Sequence, residues 1–571
     1  MFPGRLEYEL AEFERRGLGF ALDEQRLAET GRVVLNGTLR HEGEEVELQV
    51  AYPDSFPFMR PEVFAPGLLL DRHQSPVERN LCLLERSTLA WNVSDTGAWL
   101  VGERVPHLLS LLATGGETLA ADEAPQGEPA STYFKSESGA VVFLPEQMLH
   151  LPDEPTSGVF RLVTGASEPP QRLLRACLSK VSTRDERGAK VTLAELSGPL
   201  EGRFSGKTIE GRWVRLPAFP EGNLPRDLMA AAIAVNPALG NPRWQRLPGG
   251  GDMSVVGVLV REEVAQGLWQ DAWLFVVGVR PNVKAQMGIY TARGERLTAA
   301  DLLARLPAPA RLNGRSVGVV GLGSVGAPVA AELVRAQVGE LRLMDFDLVE
   351  TGNIVRWTHG ISAVGYLKTD VIGGWAASEF PFTNVVGFDL RIGGVTPPSQ
   401  AAGDGAFRES EGLSRLLDGV GVVVDASGEL GVQHLIATLA REQGVGQVFA
   451  WATEGGWGGA VACLSPGPGA CWICLQLAFA DGSIGLPPAA PAAPFQPRGC
   501  TDTTFAAAGF SLTPIVAQAA RCTARLLAGE GAGEVHVCSL HSEAGELPAP
   551  VWVSSAIPLH AECQCEHQRS A

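Results

Sequence analysis

The stretch SVGVVGLGSVGAPVAAELVRAQ, residues 316–337, limits the fold of this chain more than any other segment. Its first five residues are short and apolar, without the alternation of a strand that has one wet face. Gly321, Gly323 and Gly326 follow in the pattern G-x-G-x-x-G, and then comes a helical run. A second apolar strand, LRLMDFD, carries Asp345 near its end, and a third, GVVVDAS, carries Asp425. Strand, glycine loop, helix and strand in succession predict a doubly wound parallel sheet, an α/β Rossmann-like fold. The glycines let backbone N–H groups approach phosphate oxygens, and the helix N-terminus favours their charge. The loop alone admits NAD, FAD or ATP, or a tight turn that binds nothing.

The residues after the second strand narrow this choice. Asn353 and Arg356 form N-x-x-R, and Lys368 lies twelve residues beyond Arg356 in GYLKTD. Two cations beside a nucleotide loop suit a triphosphate and the negative charge that develops on phosphorus. A hydride-transfer site has no such need, so an NAD-dependent dehydrogenase becomes the weaker rival. The combined stretch GVVGLGSVGAPVAAELVRAQVGELRLMDFDLVETGNIVRWTHG, with GYLKTD and VVVDASGE after it, resembles the ThiF/MoeB and ubiquitin-activating-enzyme superfamily over about residues 310–566. The resemblance implies that Asp345 binds ribose and that Asn353, Arg356 and Lys368 bind phosphates. It implies that Asp425 faces Mg²⁺ and ATP. It further implies a homodimer, and a reaction in which a carboxylate attacks the α-phosphorus of ATP and pyrophosphate leaves. One position departs from the family pattern: Gly428 stands where a second Asp is expected, which leaves Glu429 or Asp425 itself to hold the Mg²⁺.

The cysteines add two further elements. Of ten, Cys82 and Cys177 stand alone and the other eight fall between residues 463 and 565. Cys471 and Cys474 form CWIC, and Cys563 and Cys565 sit in HAECQCEH. Two separated thiol pairs suit a structural tetrahedral Zn²⁺ that staples the C-terminal tail, with His560 or His567 as substitutes for one thiolate. A redox-active CxxC is the alternative. Cys500, in RGCTDTTF between a Pro-rich loop and a helix, has the setting of an activated thiol. In the superfamily a loop cysteine at this point takes the acyl group as a thioester. Cys463, Cys522 and Cys538 lie in apolar or helical settings and read as core.

The first 112 residues form a separate unit. A helix is expected over residues 6–16, strands over 32–39 and 45–52, and a closing helix over 98–112. Within it, YPDSFPFMRPEVF, His73, NLCLL with Cys82, and Trp91 resemble the ubiquitin-conjugating enzyme fold. The resemblance implies that Cys82 carries a thioester. The family's His-Pro-Asn triplet here reads His73-Gln74-Ser75, so its oxyanion-supporting Asn is missing; Asn80 is the nearest replacement. A Gly-, Ala-, Glu- and Pro-rich linker spans 113–132. Residues 133–309 form a middle region of mixed α/β character and unknown role, with strands near 140–144, 253–260 and 273–279 and a helix near 230–235. Cys177, in RLLRACLSK, reads as a buried helical thiol. The adenylation domain takes residues 310–571.

A formal net charge of -18 speaks against nucleic-acid binding as the main task. The absence of a run of about 20 apolar residues predicts no membrane span. The first residues, MFPGRLEYEL, lack a signal pattern, and a cytoplasmic protein is expected. A conjugating-like unit followed by an activating-like one resembles the bacterial fusion proteins of CBASS antiphage operons. That resemblance implies an ATP-dependent protein ligase. Its cargo would be the C-terminal glycine of a cGAS/DncV-like nucleotidyltransferase, and its acceptor a lysine of a target protein. A bacterial ubiquitin-like cargo, or sulfur-carrier adenylation, are the alternatives.

Overall fold

In the computed structural model the chain forms two units, Met1–Thr298 and Ala299–Ala571. The structure describes all residues except 1–3, 71, 76, 85–89, 114–126, 128, 166–172, 221, 248–249, 266, 395–408, 492–495, 497–503, 505 and 566–571.

The second unit holds one eight-stranded sheet. Its strands are β1 (Ser316–Val320), β2 (Glu340–Met344), β3 (Asn384–Phe388), β4 (Val422–Asp425), β5 (Gly446–Ala452), β6 (Gly458–Leu464), β7 (Glu534–Ser542) and β8 (Gly545–Ala556). The helices that concern the site are α1 (Gly326–Arg335), α2 (Lys368–Glu379), α3 (Glu409–Leu417), α4 (Leu430–Glu442), α5 (Trp472–Ala480) and α6 (Gly509–Leu527). The spatial order is β3-β2-β1-β4-β5-β6-β7-β8. Pairing is parallel from β3 to β5 and antiparallel from β5 to β8.

The valine runs explain this architecture. Val317, Val319, Val422 and Val424 join one core with α1 and α6, whereas Val320 and Val423 join another with α3 and α4. Alternate residues therefore face opposite helical layers, which is why no polar alternation shows in the sequence. Each fully buried valine or leucine contributes about 1.5–3 kcal/mol. Val320 pairs with Met344 on one side and with Asp425 on the other. The carboxyl ends of β1, β2 and β4 thus align at the point where the strand order reverses, the place where such sheets bind ligands.

The first unit begins with helix Arg5–Arg15 and a four-stranded antiparallel sheet made of Ala21–Leu22, Val33–His41, Glu44–Tyr52 and Glu62–Phe64, paired in chain order. A helical stretch over residues 97–113 closes it, with a π-turn at Leu100–Arg104. Phe13, Leu35, Leu48, Val50, Phe56, Leu100 and Leu108 fill the core. Glu9 is fully buried and accepts from Tyr52 Oη (2.9 Å) and Gly97 N (2.7 Å), tying the first helix to the sheet and to the last helix.

The middle region is a closed β-sheet. Strand Thr208–Arg215 pairs with both Ser157–Val163 and Asp252–Ala265, so the sheet returns on itself. Trp213, Trp273, Phe275 and Phe160 pack inside it, while helix Pro225–Val235 covers Val256, Val258, Val260, Leu274 and Val276 outside. The expected strands and helix of this region are present. Cys177 is buried as expected, but it lies on strand Arg175–Arg184 rather than a helix. Its burial on a two-sided strand gave the same apolar signature as a core helix.

Candidate active site

The glycine loop is built by close backbone approach. Gly321 has φ +81°, and a Cβ there would lie 2.6 Å from Ser427 Cα. A Cβ on Gly326 would lie 1.8 Å from the Gly321 carbonyl oxygen. These two glycines are demanded by the fold itself. Gly323 differs, because a Cβ there meets nothing within 4 Å. Its lack of a side chain leaves open space over the loop, as a phosphate would require.

Asp345, just past β2, turns back to this loop. Its Oδ2 accepts from Leu322 N (2.5 Å) and its Oδ1 from Asp347 N (2.8 Å). Burial raises its pKa above the ordinary Asp value, against the lowering effect of Lys368 and of the two backbone donors. Lys368 begins α2, is buried, and places Nζ 2.8 Å from Asp347 Oδ2. Residues 345–368 close on themselves: Lys368 N donates to Asp347 O and Val349 N to Tyr366 O. Within that excursion Asn353 Oδ1 accepts from Glu350 N (3.0 Å), and Arg356 N donates to Asn353 O (3.0 Å). Trp357 Nε1 donates to Leu322 O (2.8 Å), which binds the excursion to the glycine loop. Arg356 Nη2 donates to Thr504 Oγ1 (2.7 Å), four residues past Cys500 in the chain. Burial lowers the Arg356 pKa, but a guanidinium stays charged.

Asp425 ends β4 and is completely buried. Its Oδ1 accepts from Ser427 N (2.9 Å) and Ser427 Oγ (2.6 Å). Its Oδ2 is buried and has no hydrogen-bond partner among the described residues. Burial pushes the carboxyl to about 6, with the Ser427 bonds opposing. An unpartnered buried carboxylate oxygen beside a phosphate loop fits a divalent cation such as Mg²⁺. Gly428 has φ +72°, a conformation that disfavours Asp, and Glu429 is exposed.

The thiol pairs also meet. Cys471 caps α5 and Cys474 lies in its first turn, with their Sγ atoms 4.0 Å apart. Cys471 and Cys563 Sγ are 3.6 Å apart, and Cys471, Cys563 and Cys565 offer ligand atoms within 4.8 Å of one another. Four thiols at one helix start match the donor set of Zn²⁺. His560 is taken by Asp481, with Nε2 3.1 Å from Oδ2, and His567 lies outside the described residues. Cys500 also lies outside them.

In the first unit Cys82 is exposed. Residues 73–75 run antiparallel to 80–82: Cys82 N donates to His73 O (2.7 Å) and Ser75 N to Asn80 O (3.0 Å). Gln74 is a buried pin, donating to Ala65 O (3.2 Å) and accepting from Leu70 N (2.9 Å). Asn80 Oδ1 is buried without a hydrogen-bond partner among the described residues. Trp91 Nε1 donates to Pro57 O (2.8 Å). Arg72 forms a 2.6 Å ion pair with Glu263 of the closed sheet, joining the middle region to the His73 loop.

The sequence reading did not anticipate Trp357, Ser427 or Thr504. Ser427 had a signal, because an Asp followed two residues later by a Ser can form such a turn. Thr504 had none, since its partner is 148 residues away.

Residues 301–537 match the ThiF family. The uncharacterized protein y4oA of Sinorhizobium fredii is 31% identical, over 99% of this chain and 96% of its own. A second protein of that organism, y4qC, is 30% identical over 92% of this chain and 90% of its own. Ubiquitin-like modifier-activating enzyme 5 of Oryza sativa is 28% identical over 30% of this chain and 40% of its own. The chain belongs to one family with y4oA and y4qC, and the ThiF-matching residues lie within its second unit.

Proposed function

We propose that the chain is an ATP-dependent protein ligase that activates a protein C-terminal glycine and passes it along two cysteines. The observation that carries this reading is the Arg356–Thr504 hydrogen bond, because it joins a phosphate-binding candidate to a residue four positions along the chain from Cys500. Gly321, Gly323 and Gly326 would present N–H groups to the phosphates of ATP. Asp345 would meet the ribose, and Asn353, Arg356 and Lys368 the phosphate charge. Asp425 would hold Mg²⁺, which supplies charge neutralisation at the phosphates. Cys471, Cys474, Cys563 and Cys565 would hold a structural Zn²⁺.

The cargo carboxylate oxygen attacks the α-phosphorus of ATP, and pyrophosphate leaves. The Cys500 thiolate then attacks the carbonyl carbon of the mixed anhydride, and AMP leaves. The Cys82 thiolate takes the acyl group, releasing the Cys500 thiolate. A lysine amine of the target attacks the second thioester, loses a proton, and releases the Cys82 thiolate. The cargo favoured by the resemblance of the two-part chain is a cGAS/DncV-like nucleotidyltransferase of an antiphage operon. A bacterial ubiquitin-like protein would use the same chemistry. A homodimer is part of this proposal.

The test is ATP–pyrophosphate exchange driven by a candidate cargo, followed by trapping of the acyl group. Wild-type protein should exchange label only with a cargo ending in glycine, and Arg356→Ala should abolish exchange. Cys500→Ser and Cys82→Ser should each accumulate a cargo ester visible by mass spectrometry. Exchange that proceeds while neither variant ever carries cargo would leave adenylation standing and remove the relay.

A further inference from the structure

A second thiol cluster lies inside the sheet of the second unit. Cys463 is on β6, Cys522 on α6 and His536 on β7, and all three are buried. Their ligand atoms lie within 4.8 Å of one another. Topology explains the convergence. Cys463 pairs across the strands with Glu534, two residues before His536, so these side chains share one face of the sheet. Helix α6 packs on that face and brings Cys522 to it.

The imidazole is oriented for a ligand. His536 Nδ1 is 2.7 Å from Ser554 Oγ on β8. With Nδ1–H donating to that hydroxyl, Nε2 keeps its lone pair. Nε2 is buried and has no hydrogen-bond partner among the described residues. Glu534 Oε2 lies 3.6 Å from it and also takes Arg525 Nη1 at 3.2 Å. Gln518 Nε2 donates to Cys522 Sγ at 3.5 Å, a contact that steadies a thiolate. An apolar core does not need an imidazole with an unpartnered nitrogen, and burying one is costly.

We infer that Cys463 Sγ, Cys522 Sγ and His536 Nε2 hold a zinc-class divalent cation, with the Glu534 carboxylate as the nearest fourth ligand. Two thiolates and one imidazole are a donor set that selects such ions. Binding releases the two thiol protons to solvent and changes no oxidation state. The site shares no residue with the Cys471–Cys565 cluster and does not depend on it.

Elemental analysis of the full chain purified from zinc-supplemented medium tests this. Cys522→Ser and His536→Gln should each lose one metal equivalent per chain relative to wild type. Cys471→Ser combined with Cys563→Ser should keep that equivalent. Should the core variants prove insoluble, an anomalous difference map of wild-type crystals at the zinc edge decides. A peak between Cys463, Cys522 and His536 supports the site. An empty map there, unchanged metal content in soluble Cys522→Ser protein, or a Cys463–Cys522 disulfide in the native protein overturns it.

Discussion

Replacing Asp425 by asparagine separates what the carboxyl costs from what it does. The wild-type side chain is buried, its pKa is pushed from 3.8 to about 6, and only Oδ1 has donors. Because the folded pKa lies above the unfolded one, ionising this group works against folding. The penalty is absent below about pH 4, grows as the pH rises toward 6, and is complete above it. The difference, 6 − 3.8 = 2.2, corresponds to about 3 kcal/mol. The amide keeps an oxygen for the Ser427 donors but turns an NH₂ toward the unpartnered position, at about 1–3 kcal/mol. That second cost does not change with pH. Asp425→Asn should therefore gain about 3 kcal/mol on wild type between pH 4 and pH 8. With two units, a single global unfolding energy is ill defined. Native-state hydrogen exchange of peptides covering β4, in chelator, is the suitable assay. The same variant should lose at least about 10²-fold in ATP–pyrophosphate exchange, as removal of one preorganised charge-stabilising group does. A stability difference that is flat with pH would refute the electrostatic account, and undiminished exchange would refute the cation-holding role.

Other outcomes test separate parts of the site. Gly321→Ala should cost about 1–3 kcal/mol, since it combines a positive φ with backbone contact. Gly323→Ala should change thermal stability by less than about 0.5 kcal/mol and weaken ATP binding, as nucleotide titration would show. Lys368→Met removes the partner of Asp347 and the cation proposed to meet the phosphates; pyrophosphate exchange should fall about 10²-fold or more, and added salt should not restore it. Cys471→Ser with Cys563→Ser should lose zinc and expose the tail after β8 to limited proteolysis, while a protease-resistant tail would argue against a staple.

Much of the second unit could be read in the chain because its signals are local. A valine run, three glycines and a helix fall within 20 residues, and each constrains the others. Asp345 and Asp425 were legible as strand-end acids. What could not be read was which of their oxygens already have partners. Asp345 spends both oxygens on backbone N–H groups, whereas Asp425 leaves one without any. The closed middle sheet was hidden for a different reason. Its closure rests on Thr208–Arg215 meeting Asp252–Ala265; the first strand alternates in burial and the second is buried along most of both faces, and neither pattern names its partner. Cys463, Cys522 and His536 come from three elements and share no motif, so the thiols looked like ordinary core until His536 was placed beside them.

The position of that buried cluster decides between a catalytic and a structural role. Helix α6 starts at Gly509, where a Cβ would lie 3.6 Å from Arg356 Cα. Cys522 comes thirteen residues later, about 20 Å along the axis at 1.5 Å per residue. A cation there is too far from Arg356 to share its chemistry. Pro514 lies between the two points and removes one backbone donor from the helix interior. The first turn is therefore held less firmly by the helix itself, and its position depends more on how the rest of α6 is fixed to the sheet. Cys522 is on that part. Losing the cation should loosen α6, whose first residue lies against Arg356. Adenylation would continue in the protein that remains folded. Single-turnover measurements on Cys522→Ser should then show pyrophosphate exchange within about twofold of wild type, but slower acyl transfer to Cys500. Hydrogen exchange should report lost protection across α6. Equal losses in both steps, with α6 still protected, would show that the cluster does not act through the helix.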